Sequence, residues 1–374
     1  MSSSLVGSEM CIRDRPRYAD ELNIPSYHNW FQDDTMVLIG GKQKLVPSLE
    51  DSYATCKEIT RAASTSFMRS FRHLPDEKRN AVYALYAFCR RVDDIADGDW
   101  LPDLSILAPE HIEELNDKSE DRSILLSVDK QSEASNPEPD HSLKLRGLVY
   151  YREMLTKASQ GKDTNDPIFI ALKDVFAKFP IRLNDLQQLI DGMEDDLYPT
   201  NYCSFEDMRG YCYKVASTVG LALIEIYGYE NPDAREHAEE MGIFLQMVNI
   251  LRDIQEDLEH GRVYLPKDEL SLFGISQADL SDPSLPSTAN WKGFMRHYIS
   301  RVRTHQKNAM RLLPLISLDS RSSPSVMASV YGEILAEAER RNGDVLSRRL
   351  SLGFFRKVGF ALSTLGVWSI GRDY

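Results

Sequence analysis

From about residue 49 onward, apolar residues recur at three- and four-residue spacing over long stretches in which glycine and proline are scarce. No Asn-Gly or Asp-Gly turn separates alternating runs, so strand pairing has no foothold and the chain reads as nearly all helix. The run from Leu49 to Arg72 leads through Leu74-Pro75-Asp76 into a second helix, with Pro75 near its start. That helix carries Tyr83, Leu85, Tyr86, Phe88 and Val92 toward Gly98. Further helices are predicted over 142–160, 165–179, 182–197, 204–228, 232–260, 289–316, 323–350 and 354–368.

The polar stretch 117–140 contains two prolines and reads as an exposed loop; a second loop runs over 276–289. Helical runs on both sides need each other to bury apolar faces. The reading is therefore one large helical domain over 36–374, preceded by a segment 1–35. The first fifteen residues, MSSSLVGSEMCIRDR, lack the apolar stretch of a signal peptide and resemble translated adapter sequence, so they and Cys11 are set aside. The last apolar stretch, 352–371, is broken by Arg356 and Lys357 and is too short to span a bilayer; a closing core helix is expected.

Charge narrows function. The chain has 44 Lys plus Arg against 57 Asp plus Glu, a net charge of −13, which repels nucleic acid. Five cysteines with no C-x-x-C pair fit a reducing compartment, so cytoplasm is the expected location. An acidic protein can still bind a phosphate ester if divalent cations lie between the two, which makes the placement of the acids decisive.

Two stripes answer this. In CRRVDDIAD, residues four apart share a helix face, so Tyr86, Arg90, Asp93 and Asp97 form one line while Asp94 is turned away. In QMVNILRDIQED, Gln246, Asn249, Asp253 and Asp257 form another, backed by Phe244, Met247, Val248, Ile250 and Leu251. Carboxylates one turn apart repel unless a cation neutralises them. Mg²⁺ suits the role because it takes oxygen ligands and is commonly shared between one or two carboxylates and substrate phosphates. A single D-x-x-x-D is more often a solvated face; two copies with matching polar residues upstream favour a metal-bridged diphosphate. A di-iron bundle needs Glu-x-x-His on paired helices, and the only copy, Glu138 to His141, lies in the proline-containing stretch.

The motifs SFMRSFRHLP, AVYALYAFCRRVDDIADGD, GYCYKVASTVG and GIFLQMVNILRDIQEDLEHGRVYLP resemble those of the squalene and phytoene synthase family, from about Tyr53 to the end of the chain. The resemblance implies an all-α isoprenoid-synthase fold with a central cavity, and Mg²⁺-dependent head-to-head condensation of two allylic prenyl diphosphates. Mn²⁺ is an alternative metal. It implies Asp93, Asp97, Asp253 and Asp257 as metal ligands and Arg90 as a diphosphate contact. Tyr86, Tyr211, Gln246, Asn249, Arg262 and Tyr264 match positions lining the family's active site, and Ser64, Ser66 and Phe67 its early Ser-x-Ser-Phe element.

Ala63 stands where some dehydrosqualene-forming members carry histidine. No counterpart to the long membrane anchor of eukaryotic squalene synthases is present, so membrane contact is expected to be peripheral. Ala216, Ser217 and Gly220 leave room on one face for substrate or for another helix, and Glu194, Asp195 and Asp196 read as a solvated helix end. RRVDDIADGD, DGMEDDL and YKVASTVG lean toward farnesyl diphosphate as substrate and presqualene diphosphate or squalene as product. NILRDIQEDLEHGRVYLP fits a phytoene synthase acting on geranylgeranyl diphosphate equally well. A terpene cyclase or an inactive helical scaffold are the other readings, and NADPH use is left open.

Overall fold

The run with the fewest helix breakers, 76–97, forms a single 22-residue helix. Pro75 stands immediately before its first turn, where the missing N–H costs nothing, and Gly98 ends it at φ 82°, a left-handed conformation that glycine adopts without strain. A computed structural model describes residues 46–63, 68, 70–129, 139–198 and 202–350. Ser64, Ser66 and Phe67, and the expected closing helix, lie outside the described residues.

Helices account for nearly all the regular structure: α1 (Leu49–Ala63), α2 (Asp76–Asp97), α3 (Pro109–Asp129), α4 (Pro139–Ser159), α5 (Pro167–Lys178) and α6 (Leu183–Asp195), then α7 (Phe205–Cys212), α8 (Thr218–Tyr227), α9 (Ala234–Glu259), α10 (Lys267–Leu272), α11 (Ala289–Ala309) and α12 (Ser322–Arg340). Among the described residues there is no strand; Tyr229 and Ile316 form an isolated bridge. The helices group into two compact units, α1–α6 and α7–α12.

In the first unit α2 packs against α1, α4, α5 and α6. Its inward face buries Val82, Leu85, Phe88, Val92 and Ile95, each at 1% exposure or less. Burying one such side chain stabilises by roughly 1.5–3 kcal/mol, so the face that orients the acidic stripe is strongly determined. Phe88 meets Tyr151 and Phe169 at ring-centroid distances of 6.2 Å in both cases.

Two expectations fail in this unit. The polar stretch 117–140 is helical through Asp129, because no proline or glycine interrupts it until Pro137 and its first half continues α3. The acidic cluster at the end of α6 is not solvated: Glu194 is fully buried, and Asp196 is 8% exposed. Arg122 of α3 reaches Glu194 and Asp191 at 2.5 Å each. Arg152 of α4 reaches Asp191 at 2.7 Å and Glu194 at 3.0 Å. The cluster is thus an ion-pair network joining α3, α4 and α6.

In the second unit α9 is central, packed by α7, α8, α11 and α12. The run expected as one helix over 204–228 is interrupted by a π-helical turn at Tyr213–Ser217. Gly242 of α9 faces that turn so closely that a Cβ would lie 2.4 Å from Ser217 Cα, and Gly220 approaches Ala238 O in the same way, at 3.2 Å. The small residues of this element therefore serve helix-on-helix packing. The run expected over 323–350 stops at Arg340, ten residues early. Asn342 (φ 54°) and Gly343 (φ 82°) take left-handed conformations there.

Candidate active site

On α2, Asp93 is 2% exposed and Asp94 5%. Arg90 serves both, with Nη1 3.3 Å from Asp93 Oδ2 and Nη2 2.6 Å from Asp94 Oδ1. Burial works to lower the Arg90 pKa, but Asp93, Asp94 and Tyr86 outweigh it and push the guanidinium further above its ordinary value, so it stays charged. Asp94 also accepts from Arg91 at 2.9 Å, and the Arg91 guanidinium lies 4.8 Å from the centre of the Trp100 ring. Asp94 is therefore anchored by two arginines at the end of the helix. Tyr86 and Asp97, on the same stripe as Asp93, are half-buried; the carbonyl of Asp97 accepts from Lys144 Nζ at 3.4 Å.

On α9 the second stripe is buried at its start and opens at its end. Gln246 and Asn249 are 8% and 6% exposed. Asn249 Nδ2 donates to Gln246 Oε1 at 3.2 Å, while Asn249 Oδ1 is buried with no hydrogen-bond partner among the described residues. A buried amide oxygen left this way costs free energy, which a cation or donor would recover.

Asp253 is held by two arginines: Arg252 donates from Nη2 at 2.7 Å and from Nε at 3.0 and 3.1 Å. Arg349 donates from Nη2 at 2.7 Å and from Nε at 3.0 Å. Burial acts to raise the Asp253 pKa, but Arg252 and Arg349 prevail and hold it below the ordinary carboxylate value. Asp257, one turn on, shares a recess with Arg262 and Tyr264, walled by Ile250, Ile254 and Leu265. The main chain closes this recess, since Arg262 N donates to Asp257 O at 2.8 Å.

Tyr211 and Tyr264 stack, with ring centroids 4.9 Å apart and planes at 27°. A third ring, Tyr202, lies 5.5 Å from Tyr211 and 5.8 Å from Tyr264. Arg252, Arg349 and Tyr202 are absent from the sequence-derived set. Arg252 is adjacent to Asp253 and could have been found by proximity; Arg349 is 96 residues away and Tyr202 lies outside any helix, so neither carries a periodic signal.

Each stripe thus carries one aspartate, Asp93 or Asp253, held by guanidinium groups, with a second, half-buried aspartate one turn on. Among the described residues no three His, Cys, Asp or Glu side chains already converge as a metal-binding group. The donor chemistry nonetheless fits a hard divalent cation, as hard oxygen ligands are present and arginine now balances their charge.

Residues 60–356 match the squalene/phytoene synthase family profile. The chain belongs to the squalene/phytoene synthase family. It is a prenyl transferase of that type, in a family that depends on divalent metal in general. The 15-cis-phytoene synthase of Synechococcus elongatus is 29% identical over 327 residues, covering 84% of this chain and 92% of that one. The 15-cis-phytoene synthase of a Synechocystis strain is 30% identical over 315 residues and 81% of each chain. A dehydrosqualene synthase crystal structure matches with TM-score 0.66 at 25% identity, over 86% of this chain and 98% of that one. The fold of this squalene/phytoene synthase family member is the all-α isoprenoid-synthase fold expected from its motifs. No helix among the described residues is long and apolar enough to cross a membrane.

Proposed function

We propose that this chain condenses two molecules of geranylgeranyl diphosphate head to head, through a cyclopropylcarbinyl diphosphate, to give phytoene. The observation that carries this reading is that relatives covering more than four-fifths of the chain are named phytoene synthases. It replaces the lean toward farnesyl diphosphate, which rested on short phrases of sequence. Farnesyl diphosphate remains a second reading, favoured by the likeness to the dehydrosqualene synthase structure.

Asp93 and Asp97 on α2, and Asp253 and Asp257 on α9, are the residues proposed to hold Mg²⁺, with Mn²⁺ as a substitute; Asn249 Oδ1 is a further oxygen donor. When bound, the metal would withdraw electron density from a diphosphate leaving group. The protein supplies the rest. Arg90, fixed by Asp93 and Asp94, offers permanent positive charge to diphosphate oxygens without being lost to deprotonation. Arg262, beside Asp257, offers the same kind of charge next to the second stripe. The π-faces of Tyr211 and Tyr264 stabilise the allylic and cyclopropylcarbinyl cations by cation–π attraction, which is strongest where water is absent. Tyr86, Gln246 and Asn249 orient the reacting ends, and Ser64, Ser66 and Phe67 are proposed as substrate contacts on the strength of their motif.

Phytoene formation ends in proton loss, with no reduction, so NADPH should have no effect. Substrates with such tails partition into lipid, so the chain is proposed to work in the cytoplasm with peripheral membrane contact. Incubation of purified protein with Mg²⁺ and equal amounts of the two diphosphates tests the choice. A C40 hydrocarbon supports the reading, and a C30 hydrocarbon alone overturns it in favour of the second.

A further inference from the structure

We propose that Tyr202 is a positioning residue for the prenyl-transfer site, the brace that fixes the rings of Tyr211 and Tyr264; this rests on the prenyl-transferase reading. The three tyrosines come from three separate stretches. Tyr211 rides on α7, Tyr264 sits in the turn that follows α9 and Gly261 (φ 70°), and Tyr202 lies in the non-helical segment before α7. Their exposures are 3%, 3% and 8%. Tyr202 is nearly parallel to Tyr264, with planes at 24°, and tilted by 47° to Tyr211. It therefore touches both members of the Tyr211–Tyr264 stack.

The backbone around Tyr202 is pinned as a support would need to be. Tyr202 O accepts from Lys267 N at 3.0 Å and Cys203 O accepts from Asp268 N at 3.1 Å, tying this segment to the residues just after Tyr264. One residue on, Ser204 opens α7 with a reciprocal capping box to Asp207, fixing the entry of the helix that carries Tyr211. Tyr264 has no helix of its own, so its ring direction depends on what it packs against. Loss of the Tyr202 ring frees Tyr264 and Tyr211 to turn, and a ring displaced by about 1 Å can cost on the order of a hundredfold in rate when the reacting geometry is strict.

An allylic cation that loses its aromatic wall partitions toward capture by water and toward early release, so product distribution reports on the brace as well as rate. Three variants separate this role from a structural one: Tyr202→Phe, which keeps the ring; Tyr202→Leu, which removes it; and Leu312→Ala, a core truncation in the same unit. Tyr202→Phe is expected to stay within about twofold of the parent in kcat and KM. Tyr202→Leu should lower kcat by about tenfold or more with KM changed by less than about threefold, and raise the share of cyclopropylcarbinyl diphosphate and prenyl alcohol. Leu312→Ala should lower the thermal midpoint and leave kcat per folded molecule and the product ratio unchanged.

Tyr202→Leu with parental kcat and product ratio overturns the proposal, as does equal damage from Tyr202→Phe. The ligand-free protein gives a second readout: in 3-fluorotyrosine protein, the ¹⁹F resonances of Tyr211 and Tyr264 should shift in Tyr202→Leu but not in Tyr202→Phe or Leu312→Ala. Unshifted resonances overturn the brace whatever the substrate. Shifted resonances in a chain whose parent consumes no prenyl diphosphate overturn the functional reading and leave the brace standing.

Discussion

Gly242→Ala tests how the second aspartate helix is held. The added Cβ would lie 2.4 Å from Ser217 Cα, 2.5 Å from Ser217 N and 2.8 Å from Ala216 C, where ordinary contact begins at 3.4 Å. Relief requires α9 and the π-helical turn to separate by about 1 Å, because backbone atoms cannot rotate away as a side chain would. A gap of about that size forfeits a quarter to a half of each dispersion contact along the seam. Overpacking costs about 1–3 kcal/mol, and a backbone clash belongs at the upper end. The bond from Ser217 Oγ to Glu239 O, 2.8 Å long, crosses the same seam, and its loss adds about 1 kcal/mol. The helix preference of alanine over glycine returns about as much. The net expectation is a loss of about 3 kcal/mol, measured as a lower urea midpoint by circular dichroism. Gly220→Ala, whose Cβ meets Ala238 O at 3.2 Å and Ala238 C at 3.9 Å, should cost less than about 1 kcal/mol. A Gly242→Ala protein as stable as its parent, or one less affected than Gly220→Ala, would refute the reasoning.

Three further outcomes follow from named contacts. Burial pushes the Asp166 carboxyl up to about 6, against the opposing pull of the Ile168 and Phe169 N–H groups and Arg91. The folded state therefore keeps this proton longer than the unfolded chain does, and stability falls as pH rises from about 4 to about 6, by on the order of 3 kcal/mol. Asp166→Asn keeps an N-cap acceptor and removes the charge, so its advantage over the parent should grow across that window; urea midpoints at pH 4.5 and 7 that differ equally would contradict this. Glu194→Gln leaves Arg122 and Arg152 with Asp191 alone and should lower stability by about 2–3 kcal/mol, the partial exposure of both arginines keeping it toward the low end; an unchanged thermal midpoint would count against the network. Asp93→Asn and Asp253→Asn should each reduce turnover at least about a hundredfold with an unaltered circular dichroism spectrum, and retained activity would remove that residue from the metal set.

The helices and the two acidic stripes were legible because a period of 3.6 residues is written locally: Tyr86, Arg90, Asp93 and Asp97 share a face whatever α2 packs against. The failures share a physical cause. Polarity and two prolines made 117–129 look like loop, yet both prolines lie beyond Asp129, and α3 has no proline or glycine after its first residue. Glu194 looked solvated because its partners, Arg122 and Arg152, come from other helices and leave no mark near it. The π-helical turn and the early end of α12 depend on tertiary packing and on single left-handed residues, which periodicity does not register. At the site, Arg349 reaches Asp253 across 96 residues, a contact that only folding creates.

The central claim is that two allylic diphosphates become one hydrocarbon of twice the length. Its most direct measurement is the ratio of inorganic pyrophosphate released to hydrocarbon formed, with purified protein, Mg²⁺ and geranylgeranyl diphosphate. The account predicts two pyrophosphates for each C40 product, and none of either when Mg²⁺ is chelated. One pyrophosphate for each C20 hydrocarbon, or no consumption of substrate by the folded protein, would contradict it.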